Sequence, residues 1–289
     1  MKITLPKILL IFLVLCGPVY ARVETVPFKS KLINAALPYN VVLPTDYDSS
    51  ITTRYPVLYL LHGLTGHYSD WIARTNVADY AAEYRLIIVM PEGNDSWYTD
   101  SASVVTDKYE SYILKELLPD VEQRYRTIEA RYGRSIAGLS MGGYGALKFG
   151  LKSPSTFVFA ASLSGAFGVT RFTEKDVGDR FLESIKLFGP VGSETRTAND
   201  LFTIIEKLTP ARIPSLPYFY FDCGTEDSPL IFPYNRQLAA LMFEKKIPHE
   251  FRELPGDHSW GYWDQQIQEV LKIAADKMRM PPAKRTSRA

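Results

Sequence analysis

Short apolar runs alternate with amphipathic stretches along most of the chain. Tyr55–Leu61, Leu86–Met90, Phe157–Leu163 and Tyr218–Phe221 are nearly unbroken, the pattern of strands buried on both faces. Arg134–Ala137 reads as the end of another. The stretches between them carry helical spacing. Asp70–Tyr84 opens at Ser69 or Asp70, and Tyr109–Tyr125 sets Tyr112, Ile113, Leu117 and Val121 on one side; Leu230–Glu244 and Tyr262–Met278 follow. Such alternation predicts an α/β fold with a mostly parallel central sheet and helices on both faces. Val26–Leu32 and Tyr39–Leu43 are expected to form an antiparallel pair ahead of it, and His249–Leu254 a last strand. Between Gly168 and Pro217 charge rises, strands vanish, and helices are expected over Arg180–Leu187 and Asn199–Leu208. Residues 168–217 read as a cap-like insertion within one domain spanning 22–280.

The two ends stand apart from this pattern. Lys2 and Lys7 precede or flank the apolar run Ile8–Leu15, and Val19-Tyr20-Ala21 offers small residues for a cut after Ala21. That is the layout of a secretory signal peptide over residues 1–21. The run is short for a bilayer span, which takes about 20 residues. An exported protein, periplasmic or extracellular, is therefore expected, without stable membrane insertion. Residues 281–289 read as a solvated, disordered tail. Of the two cysteines, Cys16 leaves with the leader and Cys223 stands in an apolar strand, where a buried structural thiol is expected. The formal charge is +1, and the leader takes two lysines and no acid with it. Nothing in that balance points to nucleic acid.

The chemistry begins at Gly138-Leu139-Ser140-Met141-Gly142, a G-x-S-x-G pattern with a strand before it and a helix after it. A strand-to-helix turn of this kind strains the serine so that its hydroxyl stands clear of the sheet edge. Glycines flank it because a Cβ there would meet neighbouring chain. A serine hydroxyl needs a base to take its proton, and the base needs an orienting acid. In this architecture the chain order is serine, acid, histidine. Of the two histidines after Ser140, His249 opens a strand, whereas His258 follows the turn Pro255-Gly256-Asp257 ahead of the last helix. His258 is assigned as base. Asp227, deeper in the loop Gly224–Asp227, is favoured as acid over Glu226, Asp222 and Asp257. The backbone N–H groups of Met141 and of Leu64, in the loop after Leu61, are the expected oxyanion donors. His62 and His67 share that loop, but no third metal ligand lies near them in the sequence. Neither metal nor cofactor is expected.

With these residues in place the chain resembles the esterase D family of α/β-hydrolases. That family includes S-formylglutathione hydrolases, feruloyl and acetyl-xylan esterases, short-acyl esterases and mycolyltransferases. The matching stretches are Leu61–Gly66, Ser69–Trp71, Met90–Gly93, Ser96–Tyr98, Gly138–Ala146, Asp222–Asp227 and His258–Trp260. The resemblance implies the α/β-hydrolase fold. It places nucleophile, acid and base on Ser140, Asp227 and His258, and the oxyanion donors on Leu64 and Met141. Trp97, Tyr98 and Trp260 are expected to line the substrate pocket, and Trp71 and Trp263 to pack in the core. Export argues against a glutathione thioester and for a small or polysaccharide-linked ester. A sugar acceptor in place of water would make the same site a transferase. A non-catalytic binding protein on this fold is the other alternative, against which the ordered serine, acid and histidine count.

Overall fold

In the computed structural model, which describes residues 21–278, the apolar runs become neighbouring strands. The leader up to residue 20 and the tail 281–289 lie outside the described residues. The strands are β1 (Arg22–Val26), β2 (Lys29–Ser30), β3 (Ala35–Ala36), β4 (Tyr39–Leu43), β5 (Val57–Leu61), β6 (Ile87–Pro91), β7 (Arg134–Leu139), β8 (Phe159–Leu163), β9 (Tyr218–Gly224) and β10 (His249–Leu254). β2 and β3 make a small antiparallel ribbon, and the others form an 8-stranded sheet in the order β1-β4-β6-β5-β7-β8-β9-β10. The pairs β1–β4 and β4–β6 are antiparallel. Every pairing from β6 across to β10 is parallel. Parallel neighbours require crossovers, and the helical stretches supply them.

Those helices are α1 (Asp70–Arg74), α2 (Val77–Ala81), α3 (Tyr109–Tyr112), α4 (Leu118–Arg124), α5 (Met141–Lys152), α6 (Glu174–Val177), α7 (Arg180–Phe188), α8 (Glu194–Ala198), α9 (Leu201–Glu206), α10 (Phe232–Glu244) and α11 (Trp260–Lys277). Alternate strand residues feed opposite cores, as period-two geometry requires. Val57, Tyr59 and Leu61 of β5 pack with residues of α4, α5 and α10. Leu58 and Leu60 pack with Trp71, Val77 and the α11 residues Ile267 and Leu271. The sheet is thus covered on both faces, and the carboxyl ends of β5, β6, β7, β9 and β10 are left to carry loops. Residues 168–217 contain α6 to α9 and no strand, and bury Phe188, Leu201, Phe202 and Ile205 in the first of these cores.

Three expected elements differ. The strand predicted over Val26–Leu32 is divided at Pro27, a residue with no N–H for the ladder: β1 ends at Val26 and pairs with β4, while β2 within the predicted range pairs with β3. The helix predicted over Asp70–Tyr84 is two short helices broken at Thr75, which is extended at φ −139° and ψ 169°. The Thr75 hydroxyl bonds back to the Trp71 carbonyl, and the Asn76 N–H donates to Asp264 Oδ1 of α11 at 2.7 Å instead of continuing the helix. The helix over Tyr109–Tyr125 widens to a π-turn at Ile113–Leu117. Pro119 follows that turn, and a proline inside a helix removes one N–H and crowds the carbonyl four residues back.

Candidate active site

Ser140 sits between the end of β7 and the start of α5 with φ 51° and ψ −114°, a region that side chains rarely occupy. The strain is held from several sides. The Ser140 N–H donates to Leu163 O at 2.9 Å, and Ser140 O accepts from Tyr144 N at 3.0 Å and Ala166 N at 3.1 Å. The flanking glycines are required by close approach. A Cβ on Gly138 would lie 2.5 Å from the Gly142 carbonyl carbon, and one on Gly142 would lie 2.5 Å from His62 O.

The loops after β9 and β10 bring Asp227 and His258 to this turn. His258 Nε2 lies 3.0 Å from Ser140 Oγ. His258 Nδ1 lies 3.0 Å from Asp227 Oδ1 and 3.1 Å from Oδ2. An ionised carboxylate only accepts, so the proton resides on Nδ1 and the Nε2 lone pair faces the serine hydroxyl. The Asp227 carboxylate is buried while the imidazole is 32% exposed, which leaves the histidine open on the side where a ligand would approach. Asp227 also accepts from Ser228 N at 2.6 Å. The Cys223 thiol lies 3.7 Å from its Oδ2. Burial, and then the charge of Asp227, push that thiol's pKa far up, so it stays protonated. The Trp263 ring meets the imidazole edge-on at 5.0 Å.

The loop His62–Gly66 lies against the same turn. A Cβ on Gly63 would lie 3.6 Å from Ser140 Cβ, so the chain entering Leu64 passes beside the serine. Met141 is the first residue of α5, where a helix has no acceptor of its own for the N–H. His62 fixes the loop from beneath. Its buried ring places Nδ1 2.8 Å from Gly63 O and accepts from Gly93 N at Nε2 over 2.9 Å. Glu92, buried at the end of β6, accepts from the N–H groups of Gly93 and Asn94 and stands 3.3 Å from His62 Nε2. Burial alone would raise the Glu92 pKa, but the His62 ring and the N–H groups of Asn94 and Tyr68 hold it at about 2.

The aromatic residues divide. Trp97 is half-buried and packs beside Ala166, Cys223 and Ile231, with Tyr144 at 5.9 Å and Phe188 at 6.5 Å. Trp260 packs in the other core, 5.5 Å from Trp71 and 5.3 Å from Trp263, under the Arg74 guanidinium. Trp71 and Trp263 are buried. Tyr98 does not line a pocket. Its ring is fully buried, with the hydroxyl donating to His62 O at 3.1 Å. Gly93 and Gly145 press on that ring so closely that a Cβ on either would lie within 2.8 Å of it. Of the two, Trp97 keeps partial exposure and Tyr98 has none. Sequence reasoning gave Glu92 and Lys148 no role. The signal for Lys148 was a charge in the interior of a helix whose other residues from Met141 to Leu151 are uncharged.

A mostly parallel sheet with a serine at a strained strand-to-helix turn, and histidine and acid at later strand ends, is the α/β-hydrolase architecture. Within it, the chain belongs to the Esterase family, described as "Putative esterase", whose model matches residues 30–273. It is 26% identical over 256 residues to an acetyl esterase of Caldicellulosiruptor saccharolyticus, covering 85% of this chain and 95% of that one. It is 33% identical over 243 residues to an esterase of Mycobacterium tuberculosis, covering 76% of this chain but 52% of the relative, so it spans about half of that protein. Among solved structures, a ferulic acid esterase superposes with a TM-score of 0.79 at 28% identity, over 91% of this chain and 100% of the other. The chain is thus a hydrolase acting on esters. Among the described residues no helix is long and apolar enough to cross a membrane.

Proposed function

We propose that the chain is an exported serine esterase that hydrolyses short carboxylic esters, of acetyl or feruloyl type, through an acyl-enzyme on Ser140. The observation that carries this reading is the unbroken hydrogen-bonded series from Asp227 through His258 Nδ1 and Nε2 to Ser140 Oγ. His258 Nε2 takes the hydroxyl proton as Ser140 Oγ attacks the ester carbonyl carbon. Asp227 holds the imidazole in the right tautomer and balances the imidazolium that forms. The carbonyl oxygen gathers negative charge opposite the N–H groups of Leu64 and Met141. The tetrahedral intermediate collapses, His258 passes its proton to the departing alkoxide, and the alcohol leaves. Water deprotonated by His258 then releases the acid and restores Ser140.

Relatives that are an acetyl esterase and a ferulic acid esterase support the acyl class. The leader-like composition of residues 1–21 supports export. The test is hydrolysis of p-nitrophenyl acetate, butyrate and hexanoate and of methyl ferulate, beside Ser140→Ala, with fluorophosphonate labelling in parallel. Turnover and labelling that both vanish in the variant are expected. A wild-type protein neither active nor labelled sinks the reading.

A further inference from the structure

Trp97 and Tyr98 are consecutive bulky residues in the left-handed region, at φ 53° and 50°. Each such residue is strained and persists only where its surroundings over-determine it. The surroundings converge on Lys148, a fully buried lysine of α5, the helix that Ser140 caps. Its ammonium donates to Tyr98 O at 2.8 Å and to Thr99 Oγ1 at 2.5 Å. The Thr99 hydroxyl in turn donates to Trp97 O at 2.9 Å. The carbonyls of both left-handed residues are therefore tied to one ammonium, directly or through one hydroxyl. The third proton faces Glu110 Oε2 at 3.1 Å, so all three donors of the group are used. Trp97 packs in turn against the cluster of Ala166, Cys223 and Ile231 and lies 5.9 Å from Tyr144, and the N–H groups of Ala166 and Tyr144 both hold Ser140 O.

We propose that Lys148 is a positioning residue that clamps the Trp97–Tyr98 turn, and that the clamped Trp97 ring is the wall that sets acyl-chain length at Ser140. The proposal rests on Ser140 as the acylated residue. Thr99 relays the clamp, and Tyr98, fixed by its bond to His62 O, ties the turn to the loop that carries Leu64. Other titratable or charged groups face the ammonium from each element around it. They are Glu110 of α3, Asp100 of the loop after the turn, and Lys152 and Tyr144 of α5 itself. Burial pulls the Lys148 pKa down to about 8 against the charge of Glu110. The clamp therefore loosens as pH rises through that value.

The first experiment is hydrogen exchange on the full chain and on Lys148→Met, a near-isosteric change. Exchange in peptides covering 94–101 is expected to quicken by about tenfold, with the rest of the sheet unchanged. Unchanged exchange there overturns the proposal. The second is the ratio of kcat/KM for p-nitrophenyl hexanoate over acetate. It is expected to rise about tenfold in Lys148→Met and in Trp97→Ala, the worth of about one further methylene admitted, with no further rise in the double variant, because both changes act through the same ring. A uniform loss across chain lengths, or additive effects, overturns it. Should Lys148→Met fail to fold, the wild-type ratio followed from pH 7 to pH 9.5, beside Trp97→Ala, decides the matter, these values being set by the lysine's pKa of about 8. A ratio that stays flat in the wild type overturns the proposal. If the wild type shows neither turnover nor labelling, the reading of Ser140 has failed, and exchange alone still decides whether Lys148 holds the turn.

Discussion

The Tyr262 hydroxyl donates to Asp222 Oδ1 at 2.8 Å, while the Tyr220 hydroxyl occupies Oδ2 at 2.8 Å. Asp222 is wholly buried in β9, two strand positions before the loop that carries Asp227. Tyr262 belongs to the first turn of α11, directly after His258. The pair therefore fastens the start of that helix to the sheet beneath the histidine.

That attachment has a measurable pH dependence. Burial pushes the Asp222 pKa up to about 7, with both tyrosine hydroxyls and Arg252 pulling the other way. The folded state thus holds a proton that the unfolded chain releases near the ordinary aspartate value of about 3.9. Stability from this group is fully present below that value and is lost as pH rises through about 7. Asp222→Asn carries no such titration. Its Tm relative to wild type should rise by roughly 10 °C between pH 4 and pH 8, read by thermal melts across that range. A constant difference would mean that Asp222 stays ionised throughout.

Glu92 behaves with the opposite sign. Its pKa is held at about 2, below the unfolded glutamate value of about 4.3. Its contribution is therefore present above the unfolded value and fades as pH falls toward 2. Glu92→Gln sets an amide where the carboxylate accepts from Gly93, Asn94 and Tyr68. One of its edges then presents N–H to N–H, a loss of roughly 1–3 kcal/mol. The destabilisation should be full at pH 7 and should shrink as pH is lowered toward 3. Denaturant melts at both pH values would check it. A difference independent of pH would remove Glu92 from the titrating groups.

What the sequence made legible was local. The turn at Ser140 is written in five consecutive residues, and the strand-end positions of Asp227 and His258 follow from chain order and turn residues. What stayed hidden depends on partners far away in the chain. The break at Thr75 in the predicted helix is stabilised by Asp264 of α11, 188 residues beyond Asn76. Lys148 reads as an interruption of an apolar helix until Tyr98, Thr99 and Glu110 are seen around its ammonium. Trp97 and Tyr98 are indistinguishable as adjacent aromatic loop residues. Only the packing of Gly93 and Gly145 against one ring decides which of them turns inward. Asp222, one of the alternatives to Asp227 in the sequence, is bonded to two tyrosines and so has a different role from Asp227.

Gly142 tests how tightly the proposed oxyanion loop must fit. An alanine Cβ there would lie 2.5 Å from His62 O and 2.6 Å from Leu61 O, both backbone atoms with no flexible end to swing away. Either the loop or the start of α5 must shift by some tenths of an ångström, which separates the Leu64 N–H from the Met141 N–H. Gly142→Ala should lower kcat for p-nitrophenyl acetate by about 10²–10³, the usual effect of losing one oxyanion donor. KM should change little, and the far-ultraviolet circular dichroism should stay that of the wild type. A variant with unchanged kcat would place the oxyanion donors elsewhere.

Asp227→Asn separates the orientation of His258 from the presence of its ring. The aspartate takes the Nδ1 proton on both oxygens, at 3.0 and 3.1 Å. The Ser228 N–H donates to Oδ1 at 2.6 Å, so in the variant that position retains the amide oxygen and the Nδ2 hydrogens turn toward the imidazole. Nδ1 must then accept, the ring proton moves to Nε2, and Nε2 presents a hydrogen to Ser140 Oγ where a lone pair is needed. The fold and the size of the pocket are preserved, so substrate binding should persist while proton abstraction fails. The expected result is a fall in kcat of about 10⁴ with KM within a few-fold of wild type. Activity should recover partly at high pH, where hydroxide supplants the missing base. Fluorophosphonate labelling should slow in step with kcat, because the same proton must leave Ser140 Oγ in both reactions. If labelling kept its wild-type rate, the acid that orients His258 would not be Asp227.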